Sequence, residues 1–141
     1  MRGLKMGVAA LAAVAGLTAT APASAQGAQP SLYGVWRNPK DSVHIEIKPC
    51  AQGACGYVVW ASPKAQADAR EGGTPNLIGL QLFRSFTPRE NGVWKGKVFV
   101  PDLNRTFTGA AEPLDGRRLR AKGCFLGNVL CKTQIWTRIE S

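Results

Sequence analysis

Residues 43–60 read VHIEIKPCAQGACGYVVW, two extended segments separated by a cysteine-flanked turn. In the first segment Val43, Ile45 and Ile47 alternate with polar side chains, which is the pattern of a half-buried strand. The apolar run at 56–61 that follows the turn predicts a second strand. This stretch therefore predicts a pair of strands joined by a short turn, and the same pattern recurs along the chain.

Six further segments have the same extended character. They lie at 34–37, 78–86, 93–100, 105–111, 118–124 and 132–139. Short connections favour antiparallel neighbours, and a twisted sheet tends to close because closure removes its exposed edges. We predict an all-β fold, an antiparallel up-and-down β-barrel of about eight strands, with an interior that is filled or holds one small ligand. A two-sheet sandwich is the alternative, and the one long connection, 62–76, has at most one helical turn around 65–70.

The first 25 residues have the organisation of a secretory signal peptide. Arg2 and Lys5 give a positive start, residues 6–17 are almost purely apolar, and small residues follow at 23–25. The apolar block is well short of the roughly 20 residues of a membrane-spanning helix. We predict cleavage after Ala25, with an uncleaved anchor as the alternative. The product is then one domain over 26–141, without a transmembrane segment, in the periplasm or secreted.

The four cysteines form two closely spaced pairs, Cys50 with Cys55 and Cys124 with Cys131. An even number of cysteines in a small exported chain is typical of disulfides, and pairing within each turn is the natural connectivity. A zinc site would need a second pair of similar spacing or a pair of histidines, and His44 is the one histidine. A redox pair would have two intervening residues. We therefore predict two structural disulfides and no metal.

The first and last predicted strands each contribute residues to a possible seal. Gly34 and Trp36 begin the first strand, and Arg138 lies in the last. In a closed barrel these strands are neighbours, so the guanidinium of Arg138 is placed to lie over the Trp36 ring. This arrangement resembles the Gly-x-Trp and terminal Arg signature of the calycins, the group that contains the lipocalins.

A wider resemblance covers nearly all of the chain after residue 30. Its motifs are GVWRNP, CGYVVW, IGLQLF, VWKGKVFVPD and the ending GC-x-LG-x-x-LC-x-x-Q-x-WTR. On these residues the chain resembles the exported bacterial family catalogued as domain of unknown function 2147. TPNLIG and DLNRTF depart from the usual family pattern in two loops. The resemblance implies a small exported β-barrel and brings no activity or catalytic residues with it.

We predict that the protein is not an enzyme, with a histidine-dependent reaction through His44 as a minor alternative. His44 has the setting of an ordinary exposed strand residue, and the cysteines are assigned to disulfides. Asp41 and Glu46 are predicted to lie on opposite faces, so they are not a convincing acid–base pair. A recognisable nucleic-acid-binding motif is also missing, and we predict no nucleic acid partner and no cofactor.

The charge is strongly positive. Removing Arg2 and Lys5 from the 18 basic residues leaves 16 against 9 acidic residues, a net charge near +7. Five cations fall on one alternation of two strands and predict an outer basic face: Lys95, Lys97, Arg118, Arg120 and Lys122. Such a face is able to dock an anionic envelope component or simply to keep the protein solvated.

Two functional hypotheses follow. The first is a periplasmic barrel that binds a small apolar or amphipathic ligand, with aromatic and polar candidates on the predicted strands. These candidates are Trp60, Trp94, Thr133 and Gln134. The alternative is an envelope interaction protein that uses the basic face or the 62–76 loop and holds no internal ligand.

Overall fold

The computed structural model describes residue 3, residues 10–21, 28–127 and 129–141. The positive start and the predicted cleavage site at Ala25 lie outside the described residues. Eight strands and one α-helix follow in chain order among the described residues: β1 Gly34–Arg37, β2 Val43–Cys50, β3 Gly53–Ala61, α1 Pro63–Glu71, β4 Gln81–Pro88, β5 Trp94–Val100, β6 Arg105–Pro113, β7 Arg118–Phe125 and β8 Leu130–Glu140. Two short 3-10 helices, Glu90–Gly92 and Pro101–Leu103, flank β5. In the described part of the chain, no helix is long and apolar enough to cross a membrane.

The strands form a closed antiparallel barrel in which each strand pairs with the next and β8 pairs with β1. The predicted up-and-down barrel is confirmed, and the sandwich alternative is wrong. Both predicted disulfides are present, Cys50–Cys55 at the β2–β3 turn and Cys124–Cys131 beside the β7–β8 turn. Two ends result from this topology. The chain termini meet at one end, and α1 lies at the other.

Large aromatic side chains fill the middle of the barrel. The rings of Phe83 and Phe86 stack with centroids 4.9 Å apart, and Trp136 lies 6.1 Å from Phe83. Gly96 makes room for them, because a Cβ atom there would lie 2.6 Å from the ring of Phe86. The interior at this level is therefore packed by side chains, as expected for a narrow barrel.

A segment ahead of β1 closes the end at which the termini meet. The Trp36 side chain is fully buried, and its indole N–H donates to the Leu32 carbonyl oxygen at 2.9 Å. The guanidinium of Arg138 lies 4.1 Å from the centre of the Trp36 ring. It also donates to the carbonyl oxygens of Ser31, Tyr33 and Gly116. Burial lowers the pKa of Arg138, which stays cationic because its ordinary value is so high.

Gly34 is required for this seal. Its φ of 126° lies in a region that glycine adopts readily, and a side chain there would collide with the Arg138 guanidinium and with the Glu140 carbonyl oxygen. Gly34, Trp36 and Arg138 thus lie together where β1 meets β8, and they hold the preceding segment across the barrel.

The connection 62–76 contains more helix than predicted. Helix α1 spans nine residues, so the expectation of at most one turn is wrong. Ser62 caps the helix by accepting a hydrogen bond from the Ala65 amide at 3.1 Å, and Pro63 occupies the first helical position. Most residues of the helix are polar or small, and Ala69 is its one fully buried residue. The sequence therefore shows little of the apolar periodicity that predicts a helix.

Candidate functional site

The end of the barrel that carries α1 is only partly covered. There an open depression of about 560 Å³, which we call the mouth pocket, is lined by Asp102, Leu103, Arg105, Phe107, Phe125 and Leu126. Phe107 and Phe125 come from the neighbouring strands β6 and β7, and their ring centroids lie 4.3 Å apart. The pocket therefore has an aromatic wall on the barrel and a rim made of two loops.

The packing of the barrel interior is incomplete beside the end of β7 that is nearest the mouth pocket. Gly109 and Gly123 are directly paired across β6 and β7, so both face the same way. A Cβ atom on Gly109 would press on Val98 and lie 3.3 Å from Phe86. The same atom on Gly123 would meet nothing within 4 Å among the described residues. Space is thus left beside Gly123, which lies on the same face of β7 as Phe125 and two residues before it.

Charged groups of both signs lie at or beside the mouth pocket. Arg105 lines the mouth pocket, and Lys132 is exposed on the strand position paired with Gly123. The ion pairs within the described residues do not involve either of these cations. Asp102 is the acidic group in the pocket lining. The opening therefore presents two unpaired cations and one carboxylate beside an apolar wall.

Of the four ligand-binding candidates from the sequence, Gln134 lies closest to this space. It pairs with Ala121 on the inner face, and its side-chain oxygen accepts from the Trp136 indole at 3.0 Å. Thr133 is paired with Lys122 on the outer face, so its assignment to a pocket is wrong. Trp94 faces inward at the closed end and packs edge-on against Tyr33, away from the mouth pocket.

The prediction that Trp60 lines a pocket is also wrong. The β2–β3 register shifts between the His44–Trp60 and Ile45–Val58 pairs, which inserts Val59 as an extra residue. Val59 and Trp60 are consequently both exposed, whereas strict alternation would have turned Trp60 inward with Val58. Trp60 instead covers the His44 ring on the outside of the barrel, with centroids 4.5 Å apart.

His44 belongs to a polar pair on this outer face. Its Nε2 atom lies 2.6 Å from a carboxylate oxygen of Asp41, and this hydrogen bond lowers the pKa of Asp41. Asp41 precedes β2, in a turn with φ of 50°, and so escapes the strand alternation that the sequence implied. The pair lies away from the mouth pocket. No group of three or more His, Cys, Asp or Glu side chains in the described ranges is arranged to hold a metal ion.

The predicted basic face lies on the outer side of β5 and β7, with β6 between them. Two of its five cations are matched by carboxylates, because Arg118 contacts Asp115 and Arg120 contacts Glu112, each at 2.8 Å. Lys97 donates to the Thr108 hydroxyl at 3.3 Å. Lys95 and Lys122 also face outward and are exposed. The face carries less free charge than its sequence suggests.

The aromatic residues of the mouth pocket were missed at the sequence level, although a signal exists. β6 contains Phe107-x-Gly109 and β7 contains Gly123-x-Phe125, the same spacing in opposite order. In an antiparallel pair this mirror image places Phe opposite Phe and Gly opposite Gly. Pairing these two segments before assigning pocket residues would have located the aromatic wall.

A family profile matches residues 34–138, from the first residue of β1 to near the end of β8. The family is described as "Uncharacterized protein conserved in bacteria (DUF2147)". The chain belongs to this family. The match covers the barrel of this DUF2147 protein up to two residues before the end of β8, including the residues that line the mouth pocket and both disulfides.

The DUF2147 barrel is similar to a solved structure, "Protein HP1028 from the human pathogen Helicobacter pylori belongs to the lipocalin family". The TM-score is 0.63 with 13% sequence identity, over 78% of this chain and 84% of that chain. The similarity shows that the fold is lipocalin-like. No curated protein sequence matches the chain.

Proposed function

We propose that this DUF2147 protein is an exported binding protein that holds a small amphipathic ligand in the mouth pocket. The observation that carries the proposal is the open space beside Gly123, in contrast to the filled space beside its partner Gly109. The paired rings of Phe107 and Phe125 border this space. A concave site with apolar walls and a few polar groups is the usual form of a small-molecule site.

The chemistry of the pocket favours a particular kind of ligand. Its apolar part would lie against Phe107 and Phe125, where it is removed from water. A negatively charged head group would meet Arg105 and Lys132 at the opening. Because Asp102 lies on the same rim, a singly charged head group is favoured over a multiply charged one.

Export and a non-catalytic role complete the proposal. The two disulfides support an oxidising compartment, in agreement with the signal-like N-terminal sequence. His44 and Asp41 form a histidine–carboxylate pair of the kind used in general acid–base catalysis, but they lie on the outer face, away from the pocket. We therefore propose binding rather than catalysis.

The test is a titration with two amphipathic anions, the fluorescent probe anilinonaphthalene sulfonate and the fatty acid dodecanoate as its competitor. Gly123→Leu places an apolar side chain in the open space and should weaken probe binding by about tenfold or more. The matched control is Gly116→Leu, in the β6–β7 turn, where an added Cβ atom also meets nothing within 4 Å. This control should bind the probe as the wild type does.

Equal affinity in the Gly123→Leu variant would contradict the proposal, as would a wild-type protein that binds neither anion. Native mass spectrometry of the protein as purified adds an independent measurement. An extra mass that is lost on denaturation supports an occupied pocket, and its value begins to identify the ligand.

The alternative, an envelope interaction without an internal ligand, has weaker support in the two places first considered. Two of the five cations of the basic face are matched by carboxylates. In the 62–76 loop, Gly72 packs closely against Asp102, and the Thr74 hydroxyl donates to the Pro101 carbonyl oxygen at 2.8 Å. The loop is thus anchored to the connection between β5 and β6.

A further inference from the structure

The β7–β8 hairpin ends in an unusually apolar turn. We call Leu126, Val129 and Leu130 the apolar tip, and their side chains are 78%, 80% and 59% exposed. The Cys124–Cys131 disulfide joins the two strands directly below it. Large apolar side chains that are exposed together at the end of a hairpin are uncommon unless they contact something outside the molecule.

The local backbone conformation does not favour the amino acid found at one of these three positions. Leu126 has φ of 50°, in the left-handed region where glycine and asparagine are the usual residues. A leucine at this position is unfavourable for the turn and gains little burial within the protein. Its side chain is instead displayed at the open end of the barrel, beside Leu103 of the neighbouring loop.

Several cations lie between the apolar tip and the body of the barrel, at increasing distances from the tip. Lys132 is two residues from Leu130, about 7 Å along the strand, and Lys122 is four residues from Leu126, about 13 Å. Arg105 lines the same depression as Leu126. The polar region of one bilayer leaflet is about 5 to 8 Å thick. With the tip in the hydrocarbon, Lys132 and Arg105 would lie among the lipid phosphates, and Lys122 would lie just outside them.

We propose that the apolar tip docks this protein on an anionic phospholipid bilayer, with Lys132, Arg105 and Lys122 facing the lipid head groups. Peripheral proteins bind anionic membranes in this way, by inserting apolar side chains while nearby basic side chains contact the lipid head groups. Asp102 in the pocket lining, and Asp68 and Glu71 of α1 at the same end, are opposing charges that weaken the attraction. The mouth pocket opens beside the tip, but docking does not depend on a ligand in the pocket.

The test is co-sedimentation with vesicles of phosphatidylcholine alone and of phosphatidylcholine mixed with phosphatidylglycerol. Mass spectrometry first verifies that the purified protein lacks residues 1–25, because a retained apolar segment would itself bind vesicles. The wild type should bind the anionic vesicles, and salt should weaken this binding. The double variant Val129→Ser/Leu130→Ser should bind them at least tenfold more weakly.

A matched control comes from the opposite side of the barrel. Val59 and Ile78 are 45% and 50% exposed, so Val59→Ser/Ile78→Ser removes the same types of exposed side chain, with a smaller exposed area than at the tip. This control should bind vesicles like the wild type. Lys122→Gln and Lys132→Gln should each weaken binding to anionic vesicles by about fivefold. Neither Val129 nor Leu130 lines the mouth pocket, so the tip variant should still bind anilinonaphthalene sulfonate.

Several results would overturn the proposal. These are a wild type that binds no vesicles, a tip variant that binds like the wild type, and a control that loses binding to the same extent. A wild-type dimer in sedimentation velocity that the tip variant converts to monomer would also overturn it, because the tip would then contact a second copy.

Discussion

The two ends of this barrel are built from the same eight strands but differ in how closely their interiors are packed. At the closed end Trp36 is fully buried, is covered by Arg138 and is hydrogen-bonded to Leu32. At the open end Gly123 leaves space, and Phe107 and Phe125 are only half-buried. The difference indicates that close packing is concentrated at one end, and the other end is the one at which we propose binding.

The largest expected effect separates the two ends by stability. Trp36→Ala should lower the free energy of unfolding by about 3 to 5 kcal/mol, because a fully buried aromatic side chain and its partners are lost. Phe107→Ala, at the half-buried open end, should cost about 1 to 2 kcal/mol. Urea denaturation followed by circular dichroism measures both. Equal losses in the free energy of unfolding would show that the open end contributes as much to the core as the closed end does.

The second prediction uses the paired glycines. Gly109→Val should destabilise the protein by about 1 to 3 kcal/mol, since the side chain would press on Val98 and Phe86. Gly123→Val should change stability by less than about 0.5 kcal/mol, because its inner side is open. The melting temperatures of the two variants give the comparison. A loss at Gly123 as large as that at Gly109 would mean that the space is filled in solution.

The third prediction compares the disulfides, one at each end. Both close short loops, with sequence separations of 5 and 7, so replacing either pair by serine should cost about 2 kcal/mol. Only the Cys124→Ser/Cys131→Ser variant should also lose vesicle binding, because it releases the base of the apolar tip. The Cys50→Ser/Cys55→Ser variant is the control. Loss of vesicle binding in both variants would remove the link to the tip.

The smallest expected effect is on the acid side of the stability profile. Asp115, at the closed end, has its pKa lowered from 3.8 mainly by a hydrogen bond from the Arg117 amide, and Asp41 has its pKa lowered by His44. A depressed pKa in the folded state stabilises above the unfolded value, and this stabilisation is lost as pH falls through the folded value. Asp115→Asn should therefore flatten the decline in stability below about pH 4. Urea midpoints across that range measure it, and an unchanged decline would contradict the assignment.

The strand order and closure of the barrel were predictable because alternation and turn chemistry act locally. VHIEIK shows its inner residues directly, and Ile45 and Ile47 are indeed buried. The disulfides were predictable for a similar reason, since each pair flanks one turn. Features that depend on partner strands were less visible.

Trp60 shows why the site was harder to locate. A one-residue bulge at Val59 reverses which side chains point outward, and the bulge exists only because β2 and β3 pair in a particular register. Helix α1 was underestimated for a related reason. Its position depends on packing against the β5–β6 connection, where Gly72 meets Asp102, rather than on its own weak periodicity. Both features arise from contacts between segments that are separate in sequence.

The pairing of β1 with β8 also determines when folding can finish. Trp36 is paired with Arg138, about 100 residues further along the chain, and the seal over the closed end requires both. A growing chain that lacks its last strand has two open sheet edges and no guanidinium to hold the segment ahead of β1. Such a chain cannot close the barrel until its final residues are available. Barrel closure thus makes completion of the fold depend on the last strand of the chain.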